Sequence, residues 1–294
     1  MLRSALILAV AALAAAGAAS ARTPFPVTIH AANGDVVIAK QPSRIVSLSP
    51  TATEALFAVG AGRQVAAVDE DSDYPKQAPH SKLSGFTPNA EAIAGYNPDL
   101  VIVSNDGGIV AQLQKLGITV LLEPAADTIA QAYDEIRQIG LATGHAAGAA
   151  AVVHRMQSRL TKLIRSVPKS RRHLRVFHEL SPDYYSATSQ TFIGRVYRLF
   201  GFVNIADAAD STHTGYPQLS GEYILSANPQ LVVLAHSVCC RTSAATVAAR
   251  PGWQQVAAVK QRRVVAVDDS LASRWGPRLM AFAAAVARVA RAGG

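Results

Sequence analysis

Short runs of β-branched and aliphatic residues alternate along this chain with segments whose apolar positions recur every three or four residues. Arg44-Ile-Val-Ser-Leu48, Val65-Ala-Ala-Val68, Leu100-Val-Ile-Val103 and Thr119-Val-Leu-Leu122 are nearly continuous apolar runs of strand length, which predicts strands buried on both faces. The segments between them carry helix signals. Pro50-Thr51-Ala-Thr-Glu54 opens one helix, with Thr51 and Glu54 at capping-box spacing and Gly60 at its end. Another covers Glu91 to Tyr96 and is closed by Asn97-Pro98, and a third runs from Gln112 to Leu116 before Gly117. A strand–helix alternation of this kind predicts a mostly parallel sheet with helices on both faces.

The texture then changes. From Asp127 to Val167 there is no proline, and apolar residues recur at Ile129, Ala132, Tyr133, Ile136 and Ile139, then at Val152, Val153, Met156, Leu160, Leu163 and Ile164. That spacing predicts helix, either one long spine or two stacked helices divided at Gly140, Gly144 or Gly148. A second strand–helix series starts at Leu174-Arg-Val-Phe-His178 and continues through Phe192 to Phe200, Glu222 to Ser226, Leu231 to Ala235 and Arg263-Val-Val-Ala-Val267. An amphipathic helix from Leu279 to Ala292 ends it. The expected fold is α/β: two Rossmann-like lobes with mostly parallel sheets, at 22–126 and 169–294, joined by a long rigid backbone helix over 127–168.

One stretch is written twice. Glu91-Ala-Ile-Ala-Gly-Tyr-Asn-Pro-Asp-Leu-Val-Ile-Val103 returns as Glu222-Tyr-Ile-Leu-Ser-Ala-Asn-Pro-Gln-Leu-Val-Val-Leu234, with Glu, Ile, Asn-Pro, Leu and Val at the same offsets. A short helix feeding a strand through Asn-Pro is common in any α/β protein, but two matched copies point to duplicated topology. Each lobe then carries one glutamate in an equivalent place.

Residues 1–21 read as a secretory leader: a cationic start at Arg3, an apolar run, and an Ala19-Ser20-Ala21 cleavage site. No cysteine follows, so the expected mature protein is exported, soluble and without a lipobox anchor. The net charge is +8, carried largely by arginines spread along the chain. No Lys/Arg run is interleaved with aromatics, so nucleic acid is not expected and the charge reads as a solvated basic surface. The two cysteines, Cys239 and Cys240, are neighbours and cannot staple distant segments; a metal site with His236 would lack ligands.

Motifs for catalysis are poor. The chain has no G-x-S-x-G, no glycine-rich phosphate loop and no H-E-x-x-H, and the Ser166-Val-Pro-Lys169 match to S-x-x-K is spoiled by Pro168. The acid pairs Glu70/Asp71 and Asp268/Asp269 fall in loops where acids are simply soluble. Open α/β sheets bind ligands at the loops beyond their strand ends. Collected from both lobes, those loops are rich in aromatics, with Asp and Arg among them, which suits a large, flat, partly apolar ligand better than a bare ion.

Several motifs in order resemble the periplasmic binding proteins of ABC importers for vitamin B12 and ferric siderophores. They are Arg44-Ile-Val-Ser-Leu-Ser-Pro-Thr-Ala-Thr-Glu54, Asp73-Tyr74-Pro75, Asn97-Pro98-Asp99-Leu100-Val101, Phe192-Ile193-Gly194, Tyr216-Pro217-Gln218-Leu219-Ser220 and Gly276-Pro277-Arg278-Leu279. The resemblance is strongest to the cobalamin branch and covers nearly the whole mature chain. It implies a monomeric, non-enzymatic protein without cofactors, which holds cobalamin or a related metal chelate between its lobes. It implies Glu91 and Glu222 as docking points for the importer's transmembrane subunits, and ligand contacts from Pro75, Phe86, Tyr185, Tyr216, Asp269 and Arg274. Phe86 and Tyr216 stand where the cobalamin branch carries tryptophan, and Asp71 where an aromatic is usual. His80, His178 and His236 keep a rival open, axial ligation of haem or another chelate; a ferric siderophore, a bare metal ion and an exported hydrolase are further alternatives.

Overall fold

The computed structural model describes residues 23–292, so the leader at 1–21 lies outside the described residues. A hairpin comes first, β1 (Val27–Ala31) paired antiparallel with β2 (Gly34–Ile38). The first lobe follows as β3 (Ile45–Leu48), α1 (Pro50–Val59), β4 (Val65–Val68), α2 (Ala90–Ala94), β5 (Leu100–Val103), α3 (Ile109–Lys115) and β6 (Val120–Leu122). Its four strands are all parallel, in the order β4-β3-β5-β6. Every residue of β3 and β5 is buried, as expected of strands covered on both faces.

Of the two arrangements that the spacing left open, two helices form. They are α4 (Ile129–Ala142) and α5 (Ala146–Ser166), so the connecting helix placed at 127–168 is narrowed to α5, with α4 before it. The cause is local: Gly144 sits at φ +80°, a left-handed turn residue, and its α-carbon side abuts Gln41. Gly148 opens α5 against α1, and a Cβ there would clash with the Val59 carbonyl oxygen, so only glycine permits that approach. α4 packs on α1 and β1, as a layer of the first lobe. α5 touches both α1 and α11 (Leu279–Arg291, below) and is the helix that joins the lobes.

The second lobe runs β7 (Arg175–Glu179), α6 (Phe192–Leu199), β8 (Val203–Asn204), α7 (Gly221–Ala227), β9 (Leu231–Leu234), α8 (Ala244–Ala248), α9 (Ala257–Lys260), β10 (Val264–Ala266), α10 (Asp269–Ser273) and α11. Its parallel sheet is ordered β8-β7-β9-β10. In each lobe the strand order, numbered along the lobe, is therefore second-first-third-fourth. The duplicated segment forms α2 into β5 and α7 into β9, the helix feeding the third strand in both. Asn97 and Asn228 both take left-handed backbone (φ 48° and 45°) before their prolines. Asparagine tolerates that conformation, which is why the pair recurs.

One hydrophobic core passes through both lobes, from Ile45 and Leu56 through Ile136 and Met156 to Val176 and Phe282. The opposite face of the first sheet is covered by α2 and α3 through Ile93 and Leu113. The opposite face of the second is covered through Ile224, Val247 and Trp253. The shared core explains how α5 couples the lobes without a free linker.

Candidate functional site

With this strand order, the crossover connections diverge between first and third strands, opening a crevice at the carboxyl ends of β3/β5 and β7/β9. Most of the exposed large apolar residues cluster at such ends: Tyr74 and Phe86 after β4, Tyr185 after β7, Tyr216 after β8 and Val238 after β9. Phe86 is 81% exposed and Tyr216 49%, so both rings stand open to solvent beyond these strand ends.

Each ring stands on a braced loop. Phe86 follows Ser84, whose hydroxyl accepts from the backbone N–H groups of Phe86 and Thr87. Beneath it the buried Asp69 accepts from Ser72, which bonds Thr53 and through it Ser47. Burial pushes the Asp69 carboxyl up to about 6. Tyr185 pairs with Gln218 across a short antiparallel bridge. Its neighbour Tyr184 stacks on Trp253, and both lie under the Arg250 guanidinium, which binds the buried Glu179 through two 2.7 Å bonds. Tyr216 follows a turn in which the Asp210 carboxylate accepts from the N–H groups of Thr214 and Gly215.

The lobes meet on two flanks of the crevice. On the first, the segment after β10 reaches across to α1. Arg274 bonds Glu54 at 3.0 Å, Asp73 at 2.8 Å and the Asp71 carbonyl at 2.9 Å. Arg278 bonds Glu54 at 3.2 Å and lies over the Tyr74 ring. Burial is the largest influence on Glu54 and raises its carboxyl despite two guanidiniums. Trp275, beside Arg274, donates its indole N–H to Glu135 of α4 at 2.6 Å. Burial pushes Glu135 up to about 7, and burial with the charge of Glu135 pushes the neighbouring Glu123 up to about 8.

On the second flank, the segment after β6 faces the start of α6. A cavity of about 320 Å³ remains there, lined by Asp127, Gln190, Phe192, His213, Tyr216 and Trp275 among others. Its size falls in the range of small-molecule sites. A larger open groove of about 550 Å³ lies round the start of α4, between Tyr133, Leu160 and Arg195. None of the exposed rings lines it, so the crevice is the better site.

The sequence-predicted residues therefore divide. Pro75, Phe86, Tyr185 and Tyr216 lie on strand-end loops, Pro75 through a cis Tyr74–Pro75 bond, and Tyr216 lines the cavity. Arg274 instead has its guanidinium engaged by Glu54, Asp73 and Asp71. The Asp269 carboxylate accepts from the N–H groups of Val238 and Cys239 at 3.0 Å each; burial opposes ionisation, but these bonds hold its carboxyl below the usual range. Glu91 and Glu222 are exposed in the first turns of α2 and α7. Glu222 is held low by backbone N–H contact and Ser220.

Glu54 corrects another expectation. The helix cap is Ser49, whose hydroxyl accepts from Ala52, so Glu54 leaves the cap and bridges the lobes. The histidines are also placed. His178 is fully buried, bonds the Tyr197 hydroxyl at 2.7 Å, and burial lowers it to about 3, so it stays neutral. His236 is buried between Glu179 and Thr242. Neither faces the crevice. His213, which lines the cavity, is the imidazole that sequence reasoning overlooked; its signal was its place in the loop preceding Tyr216. Cys239 and Cys240 are free and exposed at the end of β9. Among the described residues no group of three His, Cys, Asp or Glu converges as a metal site.

The comparisons with known proteins agree with this fold. The profile of the periplasmic binding protein family matches residues 45–271. A Bacillus subtilis ABC transporter substrate-binding lipoprotein is 35% identical over 268 residues, covering 87% of this chain and 82% of that protein. A cobalamin-binding protein of Halobacterium salinarum is 33% identical, over 87% of this chain and 72% of its own. The crystal structure of the periplasmic vitamin B12 binding protein of Vibrio cholerae superposes with a TM-score of 0.67 at 28% identity, covering 85% of this chain and 98% of that one. The haem-binding protein of the same organism shares the fold, with a TM-score of 0.74 at 24% identity over 84% and 98% of the two chains. No helix among the described residues is long and apolar enough to cross a membrane. With the two matched parallel sheets, the joining helix and the crevice between them, the chain belongs to the periplasmic binding protein family, whose members bind solutes for ABC importers rather than convert them.

Proposed function

We propose that this protein captures a corrinoid, cobalamin, in the inter-lobe crevice and delivers it to an ABC importer. The observation that carries this reading is the set of exposed rings, Phe86, Tyr185 and Tyr216, on braced loops from both lobes. A macrocycle offers each a flat apolar face, and its burial would remove the rings from water. The cavity at Tyr216 takes one edge of such a ligand, while the remainder lies over the other rings. The 33% identical cobalamin-binding relative supports the same ligand class. Asp269 and Arg274 serve this site by positioning the loops that flank it.

Delivery falls to Glu91 and Glu222. They occupy equivalent places before the third strands, one per lobe, where each carboxylate can pair with an arginine of a transmembrane subunit. Reversing both to arginine is expected to abolish ligand-stimulated transport while leaving ligand affinity unchanged; unaltered transport would remove the role.

A second reading, haem in place of corrinoid, is favoured by one observation: His213 lines the cavity beside Tyr216 and offers an axial nitrogen. Titration of the mature protein with cyanocobalamin, hemin and a ferric siderophore, followed by tryptophan quenching and absorbance, separates the two. Micromolar or tighter cyanocobalamin binding is expected. Tight hemin binding with a Soret shift that is lost in His213→Ala, and no cobalamin binding, would establish the second reading instead.

A further inference from the structure

The positive charge of this chain is not spread evenly. Between Glu135 and Glu179 the sequence contains no Asp or Glu, and α5 fills the middle of that stretch. Along its solvent side stand Arg155, Arg159, Lys162 and Arg165, all exposed. The first three follow i, i+4 and i+7 spacing, which stacks them on one face. Among the described residues none of the four has a carboxylate within 4.0 Å, although ion pairs occur elsewhere in the molecule. α11, packed beside α5, adds exposed Arg288 and Arg291 and contributes no acid. The opposite side of α5 is fixed in the core by Val152, Val153, Met156 and Leu160, so the helix cannot rotate its charges away.

This face is separate from the delivery surface. α5 packs on the sheet faces that the lobes share, whereas α2 and α7, which carry Glu91 and Glu222, cover the opposite faces. At 21 residues the helix is about 31 Å long. The charged stripe, Arg155 to Arg165, covers about 15 Å of that length. With one sign of charge, and no large apolar residue among the exposed positions of α5, it lacks the aromatic core of a protein interface. It complements a broad, uniformly negative surface, and an anionic bilayer has that character.

We propose that the α5 face is a peripheral contact for anionic phospholipid, which holds the protein reversibly at a membrane surface through headgroup phosphates. Binding is electrostatic, without insertion, and therefore weakens with salt.

The test uses the full mature protein and sedimentation with vesicles of phosphatidylcholine, alone or with about one-third phosphatidylglycerol. The protein is expected to sediment with the anionic vesicles at low salt, to be released at high salt, and to ignore the neutral ones. Arg155→Glu/Arg159→Glu/Lys162→Glu is expected to lower the partition coefficient about a hundredfold or more, since each juxtamembrane cation contributes about 1 kcal/mol. These side chains are exposed, and circular dichroism with thermal unfolding verifies that the variant is folded. An independent triple variant, the same positions changed to Gln, is expected to fall between the two. Equal sedimentation of wild type and the Glu variant, or equal binding to neutral vesicles, would overturn the proposal. Retention by a soluble polyanion such as heparin with no vesicle binding would overturn it too, and would reassign the face to extended polymers.

Discussion

The two flanks of the crevice are topologically alike and chemically opposite. On each, the segment after one lobe's fourth strand meets the first helix of the other lobe. Where the segment after β10 meets α1, arginines of the second lobe bind acids of the first: Arg274 and Arg278 hold Glu54, and Arg274 also holds Asp73. Where the segment after β6 meets α6, there is a cavity of about 320 Å³ with Asp127, His213 and Tyr216 around it. The same framework occurs twice, and side-chain choice makes one junction a fastening and leaves at the other a cavity, the proposed binding space. The difference also assigns work. The fastened flank ties the second lobe to the first through ion pairs, and in the proposed reading the open flank meets the ligand.

The sharpest way to break this comparison is to undo the fastening. Glu54 is 1% exposed at its side chain and Arg274 10%, so removing the guanidinium leaves a buried carboxylate short of its main partner. Arg274→Ala is expected to cost about 3 kcal/mol or more in urea unfolding. Arg278→Ala should cost less, because its side chain is more exposed and Arg274 remains on Glu54. If the cost comes from the stranded charge, Glu54→Leu combined with Arg274→Met should recover most of the loss. Equal costs for the two arginines would show that the fastening is shared evenly rather than centred on Arg274.

A second test sharpens the same flank through pH. Glu123 lies 5% exposed with one carboxylate oxygen unpartnered, near Glu135 and Trp275. Its folded value of about 8 is above the ordinary 4.5, so the folded state binds the proton more tightly than the unfolded state. Stability should therefore fall as pH rises from about 4.5 towards 8, with Glu135, raised to about 7, adding in the same direction. His178 works against them at lower pH, since its value near 3 makes stability rise with pH up to about 6.5. The carboxylates thus act alone between about 6.5 and 8. Glu123→Gln is expected to flatten the pH slope there and to stabilise the protein by up to about 5 kcal/mol at pH 8. A slope unchanged in the variant would place the titration elsewhere.

How much of this was legible in the sequence depended on the range of each interaction. The strands announced themselves because burial on both faces writes an unbroken apolar run, as in Leu100 to Val103. The matched lobes were legible because Asn97-Pro98 and Asn228-Pro229 mark a backbone conformation few residues accept. The hairpin β1–β2 was missed although its signal was present: Ile29, Val36 and Ile38 are buried, alternating with exposed neighbours round Asn33-Gly34. β8, two residues long, left no period to read. The fastening was illegible for a different reason. Glu54 and Arg274 are 220 positions apart, and the local spacing of Thr51 and Glu54 imitated a helix cap that Ser49 in fact provides. Only the family resemblance offers Arg274 a role, as a ligand contact, since nothing local reveals which partner a guanidinium has found.

The smallest expected effects lie on the binding side, and they test whether the open flank is the centre of the site. Tyr216 is half-buried at the cavity wall, whereas Phe86 projects from the opposite lobe with 81% of its surface in water. A ring anchored in a concavity excludes water on more sides than one on an open loop, so it should carry more of the binding energy. Tyr216→Ala is expected to weaken cobalamin binding about tenfold, or about 1.4 kcal/mol, measured by tryptophan quenching. Phe86→Ala should weaken it only about threefold. Tyr216→Phe separates the ring from its hydroxyl: burial, followed by the charge of Asp127, raises the phenol and keeps it protonated as a donor. Near-wild-type affinity in that variant assigns the contribution to stacking, while a loss equal to that of Tyr216→Ala assigns it to the hydroxyl. A larger loss from Phe86→Ala than from Tyr216→Ala would move the centre of the site to the first lobe's rim and end the distinction between the flanks.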